Sequence, residues 1–426
     1  MKKVLSLVLV LLMAAAMVGT AMAEDNPLWT KPEEEVTLEF WYPLSGLYGD
    51  LLLSMVAEYE AENPNIHINA SYSGNYGETA TKVATNMSAG NVPDVVIGVG
   101  SDYTVGRDNH LFAEELMMDP EYDIDDIFQG FKDQSMYANE MGASPFSSST
   151  CVMFYNKDVL SACGLDMVNE APASWEDFKE VCKVVTEKGN INDSSVFYAF
   201  DTNDPTWLYF SMLGQLGNHG VTFNDENEFT ITYVDETAVP AVQLWQDLAS
   251  EGYMPIGEHS NSNNAFKAGN LAFWAGSSSW APQFHELDFE VGAIIMPSFA
   301  DTPNMVLGGT SITLLSTDPV RQAAAWDFIK WMTSAEHHKD WAVGAGYLPI
   351  RASELALDSV QEAIANDEMV SVCFAQAESA WCYPAFEHWS PIYSSVASML
   401  ELIEEGADVQ QTMADTLEEV LAEIDY

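Results

Sequence analysis

The sequence predicts an α/β protein of two lobes, and three observations carry that expectation. β-Branched and aromatic runs alternate with stretches of helical spacing, this alternation occurs twice along the chain, and helices alone close it. The first run, Val36 to Tyr42, has the composition of a buried strand. From Leu51 to Glu62, the positions of Leu52, Met55, Val56 and Tyr59 follow one helical face, and Asn63-Pro64 stops it. A strand at Ile66 to Tyr72, a helix around Thr79 to Ser88 and a strand at Asp94 to Val99 complete two βαβ units, which implies parallel pairing. The pattern resumes with strand Cys151 to Tyr155, a helix from Trp175 to Val185 opened by a Ser174/Asp177 capping box, and strands Leu271 to Ala275 and Val291 to Met296. Helices follow at Val320 to Met332, Ala335 to Val343 and Pro391 through Ile424. Small-residue clusters at Ser147-Ser148-Ser149-Thr150, Gly308-Gly309-Thr310 and Gly344-Ala345-Gly346-Tyr347 suit three crossings between lobes. The expected division is residues 24–148 plus 308–346 for one lobe and 149–307 plus 347–426 for the other. Two such lobes facing each other would form a hinged cleft, with ligand outside the carboxyl ends of the strands.

Composition narrows the function. Of 426 residues, 65 are Asp or Glu and 15 are Lys or Arg, a net charge of −50, which repels a polyanion and excludes a nucleic-acid partner. Acidity of this extent fits a solvated surface that keeps the chain soluble and monomeric. Lys2-Lys3, the apolar run Val4 to Val18 and Ala21-Met22-Ala23 read as a signal peptide, residues 1–23, cleaved after Ala23. The product is expected in the periplasm or outside the cell. Five cysteines, Cys151, Cys163, Cys182, Cys373 and Cys382, form no CxxC pair and read as small buried side chains.

Signatures of chemistry are sparse. Ser277-Ser278-Ser279 follows Gly276, but Trp280 stands where a nucleophile elbow needs glycine. His337-His338 are adjacent, cannot share a zinc-binding helix face, and read as two solvated histidines. No phosphate-binding or dinucleotide glycine loop follows the first strand, and Asp123-Ile124-Asp125-Asp126 lacks calcium-loop spacing. No catalytic residue, metal or cofactor is expected. The aromatics are more informative: Trp41, Trp207, Trp274, Trp280, Trp381 and Trp389, with Tyr42, Tyr76, Tyr347 and Tyr383, sit among polar residues. A flat aromatic face beside hydroxyls and amides suits a sugar ring, apolar on its C–H face and hydrogen-bonding at its edge.

Several stretches in order carry a resemblance: Phe40-Trp41; Glu58 to Pro64 with Tyr72 to Tyr76; Gly90-Asn91-Val92-Pro93; Pro145 to Thr150 running into Phe154 to Asp158; Cys163 to Asp166 with Trp175; Gly308 to Ser311; and Gly346 to Ile350. Over nearly the whole mature chain the sequence resembles the extracellular solute-binding proteins of ABC importers for sugars, in particular the members that bind sn-glycerol 3-phosphate. The resemblance implies a two-lobed periplasmic-binding-protein architecture, no catalysis, and delivery of a small solute to the permease subunits of a transporter. It carries ligand contacts onto Tyr76, Ser149, Ser277, Gly309 and Tyr347, and, across a gap, Trp207. Tyr42 and Trp274 are added here from their positions.

Two implied contacts do not carry over. A glutamate that holds glycerol hydroxyls falls near Gly100, and a phosphate-binding arginine falls near Ser394, beside Tyr393. Phosphate is held by bidentate, charge-assisted bonds, and the chain has three arginines, Arg107, Arg321 and Arg351. A neutral sugar or oligosaccharide is therefore the expected ligand. Glycerol 3-phosphate or a glycerophosphodiester is the alternative, and a secreted carbohydrate-active enzyme or a polyamine binder stands behind both.

Overall fold

A computed structural model describes residues 26–424, except 88, 99–115, 117, 138–139, 225–227, 258, 302, 385 and 387. The signal-peptide expectation, Gly100 and Arg107 lie outside the described residues. In chain order the strands are β1 (Val36–Tyr42), β2 (Ile66–Tyr72), β3 (Val95–Gly98), β4 (Met136–Tyr137), β5 (Glu140–Met141), β6 (Ser144–Ser149), β7 (Cys151–Asn156), β8 (Tyr198–Thr202), β9 (Val221–Phe223), β10 (Phe229–Ile231), β11 (Leu271–Ser277), β12 (Val291–Ile294) and β13 (Gly308–Leu314). They form a five-stranded sheet, β2-β1-β3-β13-β6, a four-stranded sheet, β12-β7-β11-β8, and two small hairpins. The chain divides into two compact units. One holds residues up to Ile127 with Glu140–Ser144 and Ser311–His337; the other holds Phe128–Asn139, Pro145–Thr310 and His338–Tyr426.

The first unit has the expected parallel core, with β1 paired in register to β2 and also parallel to β3, while β13 runs antiparallel to β3. β1 alternates, burying Val36, Leu38, Phe40 and Tyr42, whereas β3 is buried along its whole length. Helices Leu47–Glu62 and Pro319–Met332 pack through Tyr59, Phe40 and Phe328, whose rings lie about 5 Å apart. The Tyr59 hydroxyl donates to Asp327 at 2.8 Å.

The second unit is mixed rather than purely parallel. β7 runs antiparallel to β11 and β12, and β11 runs parallel to β8. Its core gathers Trp175, Phe178, Phe200, Trp245 and Phe273, with the Trp175 indole N–H donating to the Gln215 side chain. The Ser174/Asp177 box caps helix Trp175–Lys188 as expected. Helix Pro205–Gln215, not anticipated, starts from an Asp204 N-cap followed by Pro205. The expected terminal helix is two, Trp389–Glu404 and Val409–Ile424, broken where Gly406 takes φ +91°.

The scarce basic side chains neutralise the buried acids. In the first unit Arg321 grips Asp94 through two nitrogens while the Glu39 amide donates to the same carboxylate. Lys330 and the Trp326 indole both reach Asp119. In the second unit His259 lies between Asp201, 2.6 Å from Nδ1, and Glu404, 2.9 Å from Nε2, and Glu404 also accepts from Trp245 and from the Gly257 amide. This cluster ties β8 to the end of helix Trp389–Glu404. His338 corrects the expectation of two solvated histidines. It is fully buried, its Nε2 donates to the Phe146 carbonyl, and its Nδ1 is hydrogen-bonded to Glu354 at 2.8 Å. His337 stacks on Trp331 at 3.8 Å.

Burial alone would lower the His259 pKa, but the hydrogen bonds and charges of Asp201 and Glu404 outweigh it and raise it from 6.5 to about 9. A raised folded-state pKa stabilises the fold fully below the unfolded value and loses that stabilisation as pH rises through the folded value. The second unit should therefore lose stability between about pH 6.5 and 9, on the order of 2 kcal/mol. Hydrogen exchange in residues 198–204 and 389–404 measures it, and His259→Gln should flatten the profile; exchange that is unchanged across this range would refute the assignment.

Candidate functional site

The segment 147–151, which spans the junction of β6 and β7, is where most of the sequence-predicted residues meet within the second unit. Gly309 on β13 has φ +94°, and a Cβ there would lie 1.9 Å from the Ser147 carbonyl oxygen, so only glycine fits. Beside it, the Trp207 ring covers Gly308, where an added Cβ would come within 2.7 Å, and the indole N–H donates to the Val306 carbonyl at 3.1 Å. Trp207 is half-buried, and Gly309 is exposed. From the other side, β11 ends at Ser277, in register with Cys151, and the Ser278 amide donates to the Thr150 carbonyl. Ser277 and Ser279 share a hydroxyl hydrogen bond of 2.8 Å. Tyr347 arrives because the Leu348 amide donates to the Ser148 carbonyl, and its ring stacks at 9° on Trp341, which stacks in turn on Phe146.

Gln134, absent from the sequence expectations, braces this corner. It accepts from the Ser148 hydroxyl at 2.6 Å and donates to the Gly308 carbonyl. Ser149 itself is buried. Serines 147–149, Trp207, Ser277, Gly309 and Tyr347 thus form one ledge of hydroxyls, backbone polar groups and aromatic rings.

In the first unit, Tyr42 and Tyr76 stand at the carboxyl ends of β1 and β2. Tyr42 is largely buried against Phe40 and Tyr72, and its carbonyl accepts both the amide and the hydroxyl of Ser73. Burial, then the nearby Asp50, raises its hydroxyl pKa. Tyr76 opens helix Tyr76–Met87, half-buried, just after an Asn75/Glu78 capping box that the sequence reading missed.

Trp274 is a correction. Its side chain is fully buried, enclosed by Phe154, Phe266, Trp280 and Phe284, and its indole N–H is taken by the Ser262 hydroxyl at 2.9 Å. A Cβ on Gly276 would sit 2.1 Å from the Trp274 ring, so the glycine exists to seat this tryptophan. Position in the sequence, the signal that suggested Trp274, did not reveal which face of β11 it occupies.

The aromatic company of Trp207 extends through Trp381, Tyr383, Trp389 and Tyr393. Trp381 donates to the Asn304 carbonyl and stacks on His219 at 4.4 Å, while Tyr383 and Trp389 both meet Phe210. Burial pushes the His219 pKa down. The five cysteines are free thiols, four of them buried, and burial raises the pKa of Cys151, Cys182 and Cys373. Among the described residues, no group of three or more His, Cys, Asp or Glu is arranged to hold a metal ion, and no helix is long and apolar enough to cross a membrane.

This mixed α/β fold is shared with solute-binding proteins of known structure. The family model for bacterial extracellular solute-binding proteins matches residues 54–368, and the chain belongs to that family. It is similar to the sn-glycerol-3-phosphate-binding periplasmic protein UgpB of Shigella flexneri, 22% identical over 369 residues that cover 81% of this chain and 80% of that protein. Among solved structures, UgpB of Mycobacterium tuberculosis in complex with glycerophosphocholine aligns with a TM-score of 0.77 at 19% identity, covering 92% of this chain and 99% of that one. The cyclic α-maltosyl-1,6-maltose binding protein of Arthrobacter globiformis aligns with a TM-score of 0.75 at 19% identity, covering 91% and 98%.

Removal of Trp274 should act through the core. Trp274→Ala should cost about 3–5 kcal/mol of stability, read as a lower denaturation midpoint. A variant of unchanged stability with weakened ligand binding would return Trp274 to the site.

Proposed function

We propose that this protein is the ligand-capturing component of an ABC importer for a neutral sugar or oligosaccharide, and that it hands its ligand to membrane permease subunits without chemical turnover. The observation that carries the reading is the ledge around residues 147–151. Aromatic faces from Trp207 and Tyr347 stand beside the hydroxyl of Ser277 and the backbone of Gly309, the combination that a sugar's apolar face and hydroxyl edge call for. Ser149 belongs to the same set, and Tyr42 and Tyr76 are proposed contacts at the strand ends of the first unit. Five of the described cations support neutrality, being engaged elsewhere: Arg321 serves Asp94, Arg351 is buried, and Lys157, Lys179 and Lys330 serve Glu368, Asp247 and Asp119. Export behind a signal peptide cleaved after Ala23, residence in the periplasm or outside the cell, and a monomeric state complete the reading.

A second reading has one observation in its favour. Lys82 lies 4.8 Å from the centre of the Trp41 ring, beside the carboxyl end of β1, and a lysine can hold a phosphate as a point charge. UgpB relatives make glycerol 3-phosphate or a glycerophosphodiester the ligand to test there.

Calorimetric titration of the mature protein with maltose and xylose oligomers, sn-glycerol 3-phosphate, glycerophosphocholine and spermidine decides between them. Micromolar binding of a neutral sugar, about −8 kcal/mol, with the sugar recovered intact, is the expected result. Binding of glycerol 3-phosphate or glycerophosphocholine alone, lost in Lys82→Ala, would replace the first reading by the second. Hydrolysis of a glycoside would overturn both.

A further inference from the structure

Helix Gln129–Gln134 is anchored within the second unit by its backbone and its core side chain. The Phe128 amide before it donates to the Ile350 carbonyl at 3.2 Å, Phe131 is fully buried, and Gly130 lies so near Ala380 that a Cβ would come 2.2 Å from the Ala380 carbonyl oxygen. That anchoring delivers the last side chain of the helix, Gln134, to the candidate site. A carboxamide carries an acceptor oxygen and a donor nitrogen, and Gln134 uses both. Its Nε2 donates to the Gly308 carbonyl at 3.1 Å, and its Oε1 accepts from the Ser148 hydroxyl at 2.6 Å. Chemistry sets this orientation, since a backbone carbonyl can only accept: the nitrogen must face Gly308, which leaves the oxygen for Ser148.

Each partner of Gln134 is joined to an aromatic residue of the ledge. Trp207 rests on segment 306–308 at two points, with its indole N–H on the Val306 carbonyl at 3.1 Å and its ring over Gly308. The Ser148 carbonyl accepts the Leu348 amide at 2.8 Å, which brings in Tyr347. We propose that Gln134 is a positioning residue for the ledge: its carboxamide fixes the distance between Ser148 and Gly308, and thereby the place of the Trp207 face on which a sugar ring would stack. It acts through Ser148 and Gly308, without touching the ligand. This deepens the neutral-sugar reading and rests on it. A ring stacked on an aromatic face must also keep its hydroxyl edge within hydrogen-bond distance of the neighbouring polar groups, so a displaced Gly308 would keep one set of contacts at the expense of the other.

The test turns on Gln134→Glu. An ionised glutamate can accept from Ser148 but sets a second acceptor against the Gly308 carbonyl, which disfavours the ionised form. Once protonated, its O–H donates to that carbonyl and the wild-type pattern returns. At about pH 7.5, Gln134→Glu should bind maltose at least about tenfold more weakly than the wild type, and toward about pH 5 the deficit should shrink to within about threefold. Gln134→Met, of similar size and with neither bond, should show the deficit at every pH. Asp133, next in sequence and bonded to Gln129, titrates in all of these proteins alike and drops out of the comparison. A role confined to stability would lower the denaturation midpoint of both variants without any recovery of affinity in acid. Fluorine NMR of protein labelled with 5-fluorotryptophan, with the Trp207 line identified by its loss in Trp207→Phe, follows the ring without ligand: in Gln134→Glu the line should move toward its wild-type position as pH falls. Ser148→Ala removes one of the two bonds and little packing; it should weaken maltose binding several-fold, and it decides the matter if the Gln134 variants do not fold. Wild-type affinity in Gln134→Met or in Ser148→Ala, or a deficit in Gln134→Glu that does not change with pH, would overturn the proposal while leaving the sugar reading intact. If the wild type binds no neutral sugar, the sugar reading fails, and the fluorine line alone decides whether Gln134 holds Trp207 in place.

Discussion

The contact on which the candidate site depends is the approach of Gly309 to the Ser147 carbonyl. Any side chain at Gly309 would drive β13 away from β6, since a Cβ would fall 1.9 Å from that oxygen. With β13 displaced, Gly308 would no longer lie under the Trp207 ring, and Gln134 would lose the Gly308 carbonyl while still holding Ser148. The ledge is thus assembled by backbone proximity first and by side-chain bonding second. Glycine's tolerance of positive φ is what permits the geometry.

A second constraint is the shortage of positive charge. With 15 Lys and Arg against 65 Asp and Glu, a solvated acid costs little, but a buried one needs a partner. The fold spends bases on the inside: Arg321, Lys330, His259 and His338 all meet carboxylates with little or no exposure. Histidine therefore takes on work that lysine or arginine could do in a less acidic protein, which makes part of the second unit's cohesion dependent on protonation.

Much of the fold was readable in the sequence because periodicity reports burial. β1 and β2 have the bounds expected of them, and helix Pro319–Met332 begins one residue before its expected start. What escaped was short or uniformly apolar. Helix Pro205–Gln215 buries nearly every side chain, so it shows no polar face, although Asp204-Pro205 marked its start. The antiparallel pairing of β7 with β11 and β12 is decided by contacts distant in sequence, which local pattern does not encode. Of the candidate site, Ser149, Trp207, Ser277, Gly309 and Tyr347 were named from the sequence and are gathered at one corner. Trp274 was misjudged because residue type gives no account of which side of a strand faces the core. Gln134 was invisible, since its role arises from neighbours brought in at Ser148 and Gly308.

The free thiols have a consequence for biosynthesis. Thiolate is the form that attacks disulfides and oxidants, and burial disfavours it at Cys151, Cys182 and Cys373. With four of its five sulfurs buried as free thiols, the folded chain needs no oxidase to complete it. Once folded, it offers an oxidant little thiolate at Cys151, Cys182 and Cys373, whatever the redox poise around it.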